Sequence, residues 1–160
     1  EAEAHSAEWR KQSDPWDAIN ASSHWRKAGE PNKALSLTEE AQRKAQQDPK
    51  VRSALATTTG GALRDLNRFS EAKEAGLSAH QLTPADFRPC TLLGAVHIQI
   101  GDLVAGHEWY VQAEKLGANR QAVDQDIRTL LARASKPEQQ RIREYLTAQD
   151  PQRFAWLRSK

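Results

Sequence analysis

The sequence predicts an all-α fold built from repeated helix pairs, and three observations carry that prediction. Asp14-Pro15, Asp48-Pro49, Thr83-Pro84 and Asp150-Pro151 each set a capping side chain directly before Pro, the start signal of a helix, and Ser135-Lys136-Pro137-Glu138 adds a capping box. Small residues recur at fixed offsets along the first two thirds of the chain, as they do where helices touch. No stretch alternates Val, Ile, Thr and aromatic residues, so nothing competes for strand.

The repeat is clearest around Gly94, Gly101-Asp102, Gly106, Tyr110 and Ala113, a helix, turn, helix unit with small residues at the contact between the helices. A shift of 34 residues carries Gly106 back to Ala72, Gly94 to Gly60, Ala95 to Gly61, Leu103 to Phe69, Ala113 to Ala79 and Ala118 to Pro84. A further shift of 38 carries Ala72 to Ala34, preceded by Gly29-Glu30 and followed seven residues on by Ala41. The first unit is thus longer by about one helical turn.

The elements follow in order. A helix over 15–28 starts at Asp14-Pro15, and one over 32–47 follows the Gly29-Glu30 turn. Asp48-Pro49 opens a helix over 50–66, and the repeat places its partner at 70–82. Thr83-Pro84 opens 85–100, and 103–116 follows Gly101-Asp102. After Ala118 the period stops. Ile127, Leu130, Leu131 and Ala134 make one apolar stripe, on a helix over 120–133. Ile142, Tyr145 and Leu146 make another over 137–148, and Phe154 with Leu157 mark a last one over 151–157. An open stack needs a cover for its last apolar face, and these segments supply it. The chain divides into an amino-terminal tail (1–14), three repeats (15–118) and carboxyl-terminal capping helices (119–160), with Trp9 and Trp16 as candidates to cover the other end.

These spacings resemble the tetratricopeptide repeat, with small residues at its eighth, twentieth and twenty-seventh positions and Pro at its thirty-second. Leu93-Gly94, Gly101-Asp102 and Tyr110 stand where that pattern places them; Ser22 takes the small eighth position of the first unit, and Thr38 and Gly76 replace the aromatic residue. The resemblance implies a right-handed α-solenoid of about three helix pairs whose concave face, lined by the first helix of each pair, binds an extended or helical segment of another protein. By repeat position that face presents Trp16, Asn20, Arg26 and Lys27, then Thr57, Gly61 and Arg64, then Arg88, Thr91, Ile98 and Gln99. Family members that hold the terminal carboxylate of heat-shock chaperones use Lys, Asn and Arg there; Ile19, Ser23, Thr58 and Leu92 occupy most of those places here, so that clamp is not expected. Gly61 is open to two explanations, tolerated drift or room for a ligand backbone, since a helical Gly costs about 1 kcal/mol relative to Ala.

Composition bounds the remaining classes. The 160 residues suffice for one domain, and no apolar run approaches the roughly 20 residues of a membrane span. A single cysteine, Cys90, cannot close an internal disulfide, which fits a reducing, cytoplasmic setting. The chain contains no Met and begins Glu1-Ala2-Glu3-Ala4, which resembles a secretion-vector scar; an excised regulatory module of a larger, bacterial chain is the expectation.

Chemistry finds little support. His107-Glu108-Trp109-Tyr110-Val111 begins like a two-histidine zinc motif but has Val at the second ligand. Cys90 and His97 share a helix face at positions that this repeat fills with core residues, and His5, His24 and His80 read as isolated surface residues. Thr57-Thr58-Thr59-Gly60-Gly61 lacks the Lys and the strand of a phosphate loop. No catalytic residue, metal or cofactor is expected.

Charge is uneven: residues 120–160 hold nine of the 23 basic and five of the 21 acidic residues, a local +4 against −2 for the rest. Arg141, Arg143, Arg153 and Arg158, beside Tyr145, Phe154 and Trp156, could meet nucleic-acid phosphates and bases, or form a solvated face with the rings turned inward. The sequence therefore points to a non-catalytic interaction adaptor, with nucleic-acid binding through the basic end as the alternative.

Overall fold

The computed structural model describes residues 1–12, 14–44 and 48–158, and those residues form nine α-helices and a short 3-10 helix, with no strand among them. In chain order the helices are α1 (Ala2–Gln12), α2 (Pro15–Lys27), α3 (Pro31–Arg43), α4 (Pro49–Asp65), α5 (Phe69–Leu82), α6 (Phe87–Gln99), α7 (Leu103–Lys115), α8 (Arg120–Arg133) and α9 (Lys136–Gln149), followed by the 3-10 helix Ala155–Arg158. The last residues expected of the 32–47 helix, and Lys160 at the basic end, lie outside the described residues.

Capping side chains fix most of the starts. Asp14, Asp48 and Asp86 accept the backbone N–H groups of Trp16, Lys50 and Arg88, and Asn119 accepts those of Gln121 and Ala122. Ser135 and Glu138 form the reciprocal capping box expected for α9. Two of the Pro signals do not start helices. The Thr83 hydroxyl is taken up by Ala79 O and Ser53 Oγ, so Thr83 completes α5 and Asp86 caps α6 after an intervening turn. Asp150 accepts the Arg153 N–H, but the chain makes only turns there before the 3-10 helix that carries the buried Leu157.

The repeat recurs in backbone conformation. Gly29, Asn67 and Gly101, which stand at the same offset before Ala34, Ala72 and Gly106, all have positive φ, at 78°, 59° and 87°. Each ends the first helix of a pair with the same two bonds. The N–H of Gly29, Asn67 or Gly101 donates to Arg26, Arg64 or Ile98, and the next N–H donates to Trp25, Leu63 or His97. Consecutive helices from α1 to α7 pack on one another, as do α8 and α9; α2 also meets α4, α4 meets α6, α6 meets α8, and α7 meets α9. The small residues lie at the contacts. A Cβ on Gly60 would come within 2.5 Å of Leu92 Cδ2 and 3.4 Å of Ala72 O, and one on Gly94 would stand 2.9 Å from the Tyr110 ring.

Residues 2–12, expected as part of a tail, instead form α1. Periodicity hid it: its residues are mostly polar or Ala, and what holds it is Trp9, nearly inaccessible among Ala18, Leu37, Val51 and Leu55. Ser6 adds a polar tie, its Oγ donating to Ala2 O and accepting the Trp25 indole N–H at 3.1 Å. Trp9 thus covers the amino-terminal end of the stack, while Trp16 stays exposed. At the other end, Ile127, Leu130, Leu131, Ile142, Leu146, Phe154 and Leu157 share one core with Cys90 of α6 and Tyr110 of α7.

Two substitutions test this packing. Gly94→Leu should overpack the contact with Tyr110 and lower stability by about 1–3 kcal/mol or more, read from urea unfolding; parent-like unfolding would contradict the register. Trp9→Ala should cost about 3–5 kcal/mol, because it empties a closed site under α1; a calorimetric melt close to the parent's would show that α1 is not a cap.

Candidate functional site

The face shared by α2, α4 and α6 brings together six of the eleven residues expected of a binding face, Arg26, Thr57, Gly61, Arg64, Arg88 and Thr91, along with partners that use up part of their charge. Arg26 Nε donates to Asp65 Oδ2 at 2.7 Å, and Arg133, from α8, reaches the other oxygen at 3.4 Å. Arg64 donates to Asp126 at 3.3 Å, and the Tyr110 hydroxyl donates to the second oxygen of the same carboxylate at 2.7 Å. Asp126 belongs to α8, so that helix ties to α4 through Arg64, which is buried, with no partner for its Nε. The expectation that Arg26 and Arg64 stand free for a ligand is corrected by these pairs.

Gly61 has a packing explanation. A Cβ there would overlap Arg26 Nη1 and come within 2.7 Å of Cζ, so the missing side chain lets the guanidinium lie across the α4 backbone on its way to Asp65. The room is taken by Arg26, not left for a ligand backbone.

What remains open is a depression of about 290 Å³ bounded by Arg26, Thr57, Gly61, Arg64, Arg88 and Thr91, with Phe87, Leu92 and Asp126 completing its walls. The hydroxyls of Thr57 and Thr91 donate back to Ser53 O and Phe87 O, so toward the depression they offer lone pairs. Arg88 is an accessible cation: its side chain is 69% exposed, lying over the Phe87 ring and paired among the described residues with the neighbouring Asp86 at 3.2 Å. Trp16, Asn20 and Lys27 are exposed on α2 and do not line this depression. Ile98 and Gln99 do not belong to it either; they line a separate cleft of about 480 Å³ at the turn ends of the helices. Asp126, Phe87 and Arg133 were missed, since Asp126 and Arg133 sit on a helix outside the repeat and no spacing marks them as facing α4.

The basic end is reordered too. Arg153, expected as part of an exposed patch, is half-buried with its side chain turned inward, donating from Nε to Glu114 at 2.9 Å and from Nη1 to Asp124 at 2.7 Å. Burial works against its charge, but the two carboxylates outweigh it and raise its pKa. Arg143 donates to Leu157 O, Phe154 is buried, and Trp156 packs inward under Arg128. Arg141 and Arg158 stay exposed.

The histidines differ from the isolated surface residues expected. His5 and His24 stack with ring centroids 5.2 Å apart, and His80 sits edge-on to Trp109 with Nδ1 3.6 Å from Cys90 Sγ. Cys90 and His97 are both core residues, the latter donating to Leu93 O at 2.7 Å. Burial raises the Cys90 thiol pKa, with Asp86 adding to the effect.

Asp65 gives the face shared by α2, α4 and α6 a pH dependence. Burial raises its pKa, but the hydrogen bond and charge of Arg26, with Arg64 and Arg133 behind it, outweigh burial and hold it below the usual carboxylate value. A lowered folded pKa stabilises the fold above the unfolded value of about 3.9, and that contribution is lost as pH falls through the folded value. Asp65→Asn should therefore cost about 1–3 kcal/mol at neutral pH and flatten the loss of stability below about pH 4. Urea midpoints at both pH values check it; an unchanged acid slope would show that Asp65 is not the titrating group.

No protein-family model matches this chain, and no curated protein matches its sequence.

Proposed function

We propose that the chain is a non-catalytic protein–protein interaction module, its three helix pairs wound as a right-handed solenoid of the tetratricopeptide kind and its inner face receiving a peptide or helical segment of a partner. The winding is supported by the repeated left-handed turns at Gly29, Asn67 and Gly101 and by the contacts that link α2, α4, α6 and α8 in succession. The observation that carries the functional reading is the depression bounded by Thr57, Arg88 and Thr91, where an accessible guanidinium stands beside the Phe87 ring and unfilled hydroxyl lone pairs. Trp16, 46% exposed on α2, offers a second anchor on the same helix set. Such a face suits a short segment with an acidic residue opposite Arg88. A cytoplasmic setting is part of this proposal.

Nucleic-acid binding has less support, because Arg153 is committed to Glu114 and Asp124 and the neighbouring rings pack inward. A partner retained on the immobilised chain, once identified, separates the two readings by titration. Trp16→Ala, Thr91→Arg and Arg88→Ala should each weaken it, Arg88→Ala by about tenfold if it bonds a carboxylate. Loss confined to Arg158→Ala, with a steep salt slope, would move the site to the basic end.

A further inference from the structure

We infer a second docking surface: the cleft where the turns after α4 and α6 meet α8 and α9 receives an apolar side chain from an acidic segment of a partner protein, with a segment carboxylate held by Arg133 and Arg141. This surface is separate from the inner face and does not rest on the reading given for it.

The cleft, at about 480 Å³, is within the usual range of ligand-sized cavities, and Phe69, Ile98, Leu130 and Ile142 give it apolar walls. Apolar surface continues out of its mouth. Ile98 turns inward to pack where Gly106 leaves room, which puts Ile100, two residues on and past the end of α6, toward water. Ile100 is 46% exposed and Val104, at the start of α7, 54%. Ile100 itself lines the cleft, so exposed apolar surface adjoins its mouth, as at an interaction surface.

Three polar groups define the occupant. Gln99 lines the cleft and is half-buried, with no hydrogen-bond partner for its Oε1, so a rotation of the side-chain amide toward the cleft would let it accept an N–H from an incoming backbone. Arg141 is exposed and near enough to Glu138 for its charge to add to the Ser135 hydrogen bonds in lowering that carboxyl's pKa, but it makes no salt bridge among the described residues. Arg133 touches Asp65 only at 3.4 Å, while Arg26 holds that carboxylate at 2.7 Å, and its side chain is 53% exposed. The cleft's own carboxylate, Glu138, is occupied by the Ser135 N–H across the capping box. Two guanidiniums with spare donors therefore face one committed carboxylate, a balance that favours an anionic segment. An extended peptide supplies all three complements at once: an apolar side chain, a backbone N–H and a carboxylate.

Short fluorescein-labelled peptides test this by anisotropy with the full chain. One carries Leu-Phe between Glu pairs, a second has Lys in place of Glu, and a third has Ser in place of Leu-Phe. The first should bind saturably and at least about tenfold more tightly than the other two. Arg133→Glu with Arg141→Glu, and separately Ile100→Asp, should abolish the preference, all three positions being exposed. Thr91→Arg and Trp16→Ala, on the inner face, should leave it intact, so failure here and failure of the inner-face reading are told apart. Gln99→Leu should weaken the peptide while leaving the melting temperature unchanged or higher, an outcome that damage to the fold would not give. Equal binding of the Lys peptide, no saturable binding of the Glu peptide up to millimolar concentration, or loss only with the inner-face variants would overturn the proposal.

Discussion

The structure depends on how closely the two helices of each pair approach, and that distance is set by residues with almost no side chain. Ala34, Ala72 and Gly106 are buried on the second helices; Ser22 faces Ala34, Gly60 faces Ala72, and Gly94 on the first helix of the third pair lies under Tyr110. Where both positions are small, a neighbouring large side chain moves into the contact: Leu92 over Gly60, the Tyr110 ring over Gly94, Ile98 over Gly106. A methyl group at any of these glycines would meet an atom closer than ordinary van der Waals contact, so the glycines are a condition of the pairing and outweigh their cost to helix propensity. Once the pairs are close, the left-handed turns at Gly29, Asn67 and Gly101 follow, since the chain must reverse within a few residues.

Close pairing brings the first helices near one another, and the charges between them must then be satisfied internally. Asp65 and Asp126 do this for Arg26, Arg64, Arg133 and the Tyr110 hydroxyl, in a network that spans α2, α4, α7 and α8. Removing one member of such a network strands the rest, which is why it fixes α8 more firmly than its few hydrogen bonds suggest. Tyr110 shows the coupling. Burial, with Asp126 adding its charge and hydrogen bond, pushes its phenol pKa far above the usual value, so it remains a donor to that carboxylate at any ordinary pH.

Much of the fold was legible because helix starts and small-residue spacing are local signals. Asp14, Asp48, Ser135 and Glu138 act as their sequence context suggests. Thr83 did not, because its hydroxyl was claimed by Ser53, thirty residues earlier, a contact no local pattern encodes. Helix α1 escaped for a related reason: one indole, Trp9, supplies most of its burial, and a single large residue makes no periodic stripe. The candidate site was less legible still. Repeat position placed Arg26, Thr57, Gly61, Arg64, Arg88 and Thr91 around one depression, yet it could not say that Gly61 accommodates Arg26 or that Asp126 would arrive from outside the repeat.

That difference between position and availability decides where a partner can be held. An inward-turned arginine already bonded to a carboxylate can bind a ligand only by releasing that carboxylate, at the cost of leaving it buried and unpaired. Arg64 and Arg153 are in this position, and both tie elements together instead. The arginines with spare donors, Arg88 on the inner face and Arg133 with Arg141 at the turn ends, are those near carboxylates that are few, distant or otherwise engaged. On the two proposed readings, recognition falls at the margins of this charge network, where Ile100 and Val104 are also exposed, while its centre holds the helices in place.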